Sequence, residues 1–156
     1  MNPEFYELLG KIAPGVIAAP VASWFTVRLA LGRYKKEIFW QRKLDAYTRI
    51  LDALHVCRLR AERLANESIH DTSPTDEQKA EMKKKYSAAS SELYRIIDTG
   101  LLILPEQATV HLNEVMSPRY EDWKELSSYE FWNTEENLIK KALTALIAVA
   151  RVDLKQ

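Results

Sequence analysis

The chain has 156 residues, and its 22 basic and 22 acidic side chains leave no formal net charge, so it lacks the broad positive field that nucleic-acid binding requires. A single cysteine, Cys57, excludes an internal disulfide and a cysteine-based zinc cluster and suits a reducing compartment. Apolar residues at 47% and charged residues at 28% exclude a disordered or fibrous chain, and only 4 Gly and 6 Pro favour long helices over a loop-rich β fold.

Residues 1–11 form a short leader into the first apolar segment, Ile12–Gly32, which reads IAPGVIAAPVASWFTVRLALG and carries one charge, Arg28. About 20 mostly apolar residues are needed to cross a bilayer as a helix, so residues 12–32 are expected to be a transmembrane helix. Pro14 falls in its first turn, where a missing N–H costs little. Pro20 and Trp24 are more central. Arg28 lies about one turn from the end, from where it is expected to snorkel to the headgroups. Arg33, Lys35, Lys36, Arg42 and Lys43 follow, against one acid, Glu37. Bases close to a span stay on the cytoplasmic side, which places residues 1–11 in the periplasm and 33–156 in the cytoplasm. The same cluster is expected to meet anionic lipid of the inner leaflet. Two other readings compete. A cleavable signal peptide is disfavoured by Glu4 and Glu7 in place of early bases and by the lack of a small-residue cleavage site. A buried helix of a soluble bundle is disfavoured because the segment has no polar face.

From residue 33 to about 70 there is no Pro or Gly. Tyr47, Ile50, Leu54, Cys57, Ala61 and Leu64 recur at alternating spacings of three and four, with Arg49, Asp52, Arg58, Arg60, Glu62 and Arg63 between them. The pattern predicts a long amphipathic helix continuous with the span. Ser73-Pro74 reads as a cap followed by proline at the first helical position, with Asp76 and Glu77 at the positive helix end. This predicts a second helix over 74–104 with a stripe of Met82, Tyr86, Ala89, Leu93, Ile96 and Gly100, folded back antiparallel on the first. Pro105 opens a shorter helix over 105–116. Residues 117–133 read as irregular and aromatic, with Tyr120, Trp123, Tyr129, Phe131 and Trp132. Asn133-Thr134-Glu135-Glu136 reads as a capping signature for a last helix over 134–153 that buries Leu138, Ile139, Ala142, Leu146, Val149 and Ala150. The fold class expected is all-α: a transmembrane helix running into a long amphipathic helix, plus an antiparallel cytoplasmic bundle.

Residues 39–54, FWQRKLDAYTRILDAL, carry a resemblance. Trp40, Arg42, Lys43, Ala46, Tyr47, Ile50, Ala53 and Leu54 resemble the aromatic-x-Arg-Lys-x-x-Ala-Tyr segment of uncharacterised bacterial single-span membrane proteins. Ile97-Asp98 with Gly100, and the closing Ala150-Arg151-x-Asp153-Leu154, are similar too. The resemblance implies the same topology in a bacterial inner membrane. It implies no mechanism.

No catalytic kit is legible. Asp52 with His55 and Glu67 with His70 are carboxylate–histidine pairs three apart, as in di-iron bundles. Both pairs lie on one helix, about 22 Å apart, and cannot share a metal within one chain. Cys57 sits on the apolar stripe, which suits a small buried hydrophobe. Ser90-Ser91 lacks a nucleophile elbow, and the glycines form no phosphate loop. Lys83-Lys84-Lys85 reads as a solvated face, and Asn66-Glu67-Ser68 matches a glycosylation sequon that has no meaning on a cytoplasmic helix. No cofactor and no enzymatic activity are expected.

The aromatic segment 120–132 reads either as packing at the end of the bundle or as a surface for docking a partner. The functional expectation is a membrane-anchored, non-catalytic scaffold or adaptor that binds a cytoplasmic protein or its own copies. The alternative is a membrane-perturbing effector, a toxin or phage-defence component, acting through an oligomerised span in which Pro20 and Arg28 matter.

Overall fold

A computed structural model describes residues 3–70, 74–100, 102–117 and 126–155, with side chains from Ser23 onward. The fold is all-α. Helix α1 spans Pro3–Ile69, α2 Asp76–Gly100, α3 Glu106–Met116 and α4 Ser128–Asp153, and no strand occurs among the described residues. The chain divides into two units, residues 1–41 and 42–156.

In residues 42–156, α1 buries Tyr47, Ile50, Leu54, Cys57 and Ala61 at the spacings of the sequence stripe. The stripe closes on Ala65 instead of Leu64, which is half-buried. Helix α2 runs antiparallel to this part of α1: Arg49 pairs with Glu92 at 2.9 Å, and Arg63 donates to Gln78 at 3.4 Å. It buries Ala89, Leu93 and Ile96, while Met82 and Tyr86 are half-buried. Helix α4 also runs antiparallel to α1, since Lys43 meets Asp153 and Arg58 meets Glu136. Helix α3 adds Ala108, Thr109, Leu112 and Val115. The side chains most completely removed from solvent are Tyr47, Ile50, Leu54, Leu93, Leu112, Ile139 and Leu146. They come from all four helices, so one core holds the unit together, at about 1.5–3 kcal/mol for each large aliphatic side chain buried.

The helix starts differ from the sequence expectation. Helix α2 begins at Asp76, not at Pro74. Thr75 is its cap: the Gln78 N–H donates to Thr75 Oγ1, and the Thr75 N–H donates to Gln78 Oε1, both at 3.3 Å. It ends at Gly100, and residues 102–104 turn before Pro105. Helix α4 begins at Ser128, not at 134, so residues 128–133 are helical and not irregular. Its capping box is Ser127 with Glu130: the Glu130 N–H donates to Ser127 Oγ at 3.3 Å and the Ser127 N–H donates to Glu130 Oε2 at 3.0 Å. Glu136 caps nothing; it is buried and paired with Lys140 at 2.7 Å and Arg58 at 3.5 Å. The earlier start prevails because it brings Phe131 onto the helix and into burial.

In residues 1–41, every side chain from Ser23 to Glu37 is exposed. These include five large apolar groups in one short stretch: Trp24 at 55%, Phe25 at 55%, Val27 at 56%, Leu29 at 66% and Leu31 at 53%. Among the described residues no helix is long and apolar enough to cross a membrane. Of the expected span 12–32, the side chains of 12–22 lie outside the described residues.

Candidate functional site

The most developed polar arrangement in residues 42–156 joins two ends of the sequence. Lys43 and Tyr47 stand one turn apart on α1, so both side chains project from one face. Asp153 ends α4. Lys43 Nζ donates to Asp153 Oδ1 at 2.6 Å, and the Tyr47 hydroxyl donates to Asp153 Oδ2 at 3.1 Å. One carboxylate thus receives a donor on each oxygen. Both partners of the ion pair are largely removed from water, with side chains 17% and 11% exposed, which strengthens the attraction relative to a surface pair. Burial, then the adjacent carboxylate charge and hydrogen bond, push the Tyr47 phenol far above its ordinary range. The neutral phenol is therefore held as a donor. A groove of about 630 Å³, lined by Pro105, Glu106, Gln107, Ala148, Val149 and Val152, ends at Asp153.

Of the expected basic cluster, Lys43 is paired with Asp153. Arg33, Lys35, Lys36 and Arg42 are exposed.

A second arrangement surrounds Arg60. Its guanidinium lies 3.9 Å from the Tyr86 ring centroid and 5.1 Å from that of Trp132, a cation held between two aromatic faces. Phe131 and Trp132 meet edge to face at 4.9 Å. The expected aromatic surface is therefore divided. Phe131 is buried and Trp132 is half-buried against Arg60, so both are packing elements. Tyr129 is 40% exposed. Tyr120 and Trp123 lie outside the described residues.

Cys57 is buried, and burial pushes its thiol up to about 11, partly opposed by the Ser90 hydroxyl and the Arg60 charge. Ser90 Oγ is itself buried and makes no further hydrogen bond among the described residues. A protonated, buried thiol is a poor nucleophile. Among the described residues no three His, Cys, Asp or Glu side chains gather as metal ligands. A groove of about 740 Å³ between α1 and α2 is lined by Leu59, Arg63, Met82, Lys84 and their neighbours, including Glu77 and Glu81.

The expected span residues fall as follows. Pro14 and Pro20 lie within α1, with side chains outside the described residues. Trp24 and Arg28 are exposed, and the Arg28 guanidinium sits over the Trp24 ring at 5.2 Å from its centroid. The Arg28 guanidinium thus leans toward the preceding turn of α1, whereas the sequence expectation has it snorkel to the headgroups.

No family model, curated protein or solved structure matches this chain.

Proposed function

We propose that this protein is a membrane-anchored, non-catalytic scaffold or adaptor, held by residues 12–32 with the bundle of residues 42–156 in the cytoplasm. The observation that carries this reading is the exposure of Trp24, Phe25, Val27, Leu29 and Leu31 directly before the exposed bases Arg33, Lys35 and Lys36. A concentration of exposed large apolar side chains of this kind marks a membrane or partner contact. A hydrocarbon environment followed by anionic headgroups meets both halves of the pattern. The resemblance of residues 39–54 to bacterial single-span proteins supports a bacterial inner membrane with the N-terminus outside. The bundle contributes helix surfaces and open grooves, as suits an adaptor.

Carbonate extraction and protease protection in spheroplasts test this reading. A C-terminally tagged chain is expected to stay with the membrane and to be protected from external protease. Release by carbonate would overturn it.

The Arg28–Trp24 contact also favours a second reading, in which assembled spans perturb the membrane. That reading expects growth arrest on overexpression, relieved by Arg28→Leu; harmless expression rejects it.

A further inference from the structure

Arg28 has an unsolved electrostatic problem if residues 12–32 cross a bilayer, and the inference below rests on that reading. Helical side chains lean toward the N-terminus, and Arg28 follows this rule by placing its guanidinium over Trp24, one turn earlier. At ~1.5 Å per residue, the level of Trp24 lies about 12 Å from Gly32 and about 18 Å from Ile12. The cation is therefore directed to the middle of the apolar segment, not to the headgroups beyond Gly32.

The indole face meets part of the charge, but it carries no countercharge, and an unpaired charge at this depth is strongly disfavoured. The chain supplies no acid nearby: between Glu7 and Glu37 the sequence contains no Asp or Glu at all. A second copy in the same orientation would bring Arg28 against Arg28, two like charges in a low dielectric. Charge complementarity therefore selects a different protein.

We propose that Arg28 is the docking point for a partner transmembrane helix bearing an Asp or Glu near its midspan, so that the anchor also assembles a heteromeric complex within the membrane. A carboxylate there would accept from the guanidinium fork while Trp24 shields the pair from lipid. The exposed faces of Leu29, Phe25 and Val27 would supply the surrounding helix contact.

The test uses the full chain, fused at its C-terminus to a fluorescent donor and reconstituted in phosphatidylcholine–phosphatidylglycerol vesicles. The probes are acceptor-labelled, Leu-based transmembrane peptides with a single central Asp, Asn or Leu. The wild type is expected to prefer the Asp peptide over the Leu peptide roughly tenfold, with the Asn peptide between them. Arg28→Leu should abolish the preference, and Arg28→Lys should retain part of it. Equal transfer to the Asp and Leu peptides overturns the proposal, as does a preference that survives Arg28→Leu. Arg28-dependent transfer between two labelled copies without peptide also overturns it in favour of self-association. Vesicle flotation separates these results from failure of the anchor: a wild-type chain that does not float sinks the membrane reading and the docking proposal together. One that floats without discriminating sinks the docking proposal alone.

Discussion

Asp153 accepts from Lys43 and Tyr47 at once, so it carries more of the bundle than its place three residues from the end of the sequence suggests. Removing it by Asp153→Ala leaves a half-buried ammonium and a buried phenol without their partner. The expected loss is about 2–3 kcal/mol of unfolding free energy, read from urea denaturation followed by circular dichroism. Tyr47→Phe removes one donor and keeps the ring in the core, and should cost about 1 kcal/mol. Because both donors share one carboxylate, the double variant should cost less than the sum of the two. A double variant that is strictly additive would show that the three groups do not act as a unit. Lys43, Tyr47 and Asp153 were each legible as residues of the two resembling motifs. Their meeting was not, because the Lys43–Asp153 bond joins positions 110 residues apart and no local periodicity encodes such a pairing.

The helices themselves were largely readable, since apolar residues at spacings of three and four define a buried stripe whatever covers it. Tyr47 through Ala61 and Ala89 through Ile96 behave so. The starts were less readable because capping patterns repeat. Ser127 with Glu130 and Asn133 with Glu136 show the same three-residue spacing, and only tertiary demand separates them. Glu136 faces Arg58 across the bundle, while the Glu130 carboxyl is free to bond the Ser127 hydroxyl and N–H, which hold it below the usual carboxylate range. Ser127→Ala is therefore expected to destabilise the fold by about 1 kcal/mol, while Asn133→Ala should have little effect. Thermal melts of the two variants check this, and the reverse order would restore the start at 134. The irregular stretch was drawn too long for the same reason: residues 128–133 belong to α4, and with them Phe131 and Trp132, which the sequence left open between packing and docking, take the packing role.

At the scale of the whole molecule, two buried protons make the bundle sensitive to base. Burial raises the Cys57 thiol from 9.0 to about 11, and burial with the Asp153 charge raises the Tyr47 phenol further above its ordinary value. In both cases the folded state keeps a proton that the unfolded chain releases. The associated stability is fully present below about pH 9 and is lost as pH rises through the folded values. The urea midpoint should hold steady up to about pH 9 and then fall, by roughly 2 kcal/mol of unfolding free energy at pH 11 for the thiol alone. Cys57→Ala should delay the onset to about pH 10, and Tyr47→Phe should remove much of the remaining slope. A flat profile to pH 11 would mean that neither group is held as described.

The division of the chain at Gln41–Arg42 gives the last expectation. Among the described residues, every member of the buried core lies at or beyond Tyr47, and the inter-helix ion pairs described above begin with Lys43. A fragment of residues 42–156 should therefore fold cooperatively. Its melting temperature should match that of the full chain in detergent to within about 5 °C, the shift that ~1 kcal/mol produces in a domain of this size. Truncating further, to begin at residue 48, removes Lys43 and Tyr47 and should lower the melting temperature well beyond that margin. If the longer fragment is unfolded, residues 1–41 contribute to the stability of the bundle. If both fragments melt alike, the Lys43–Tyr47–Asp153 contact is dispensable.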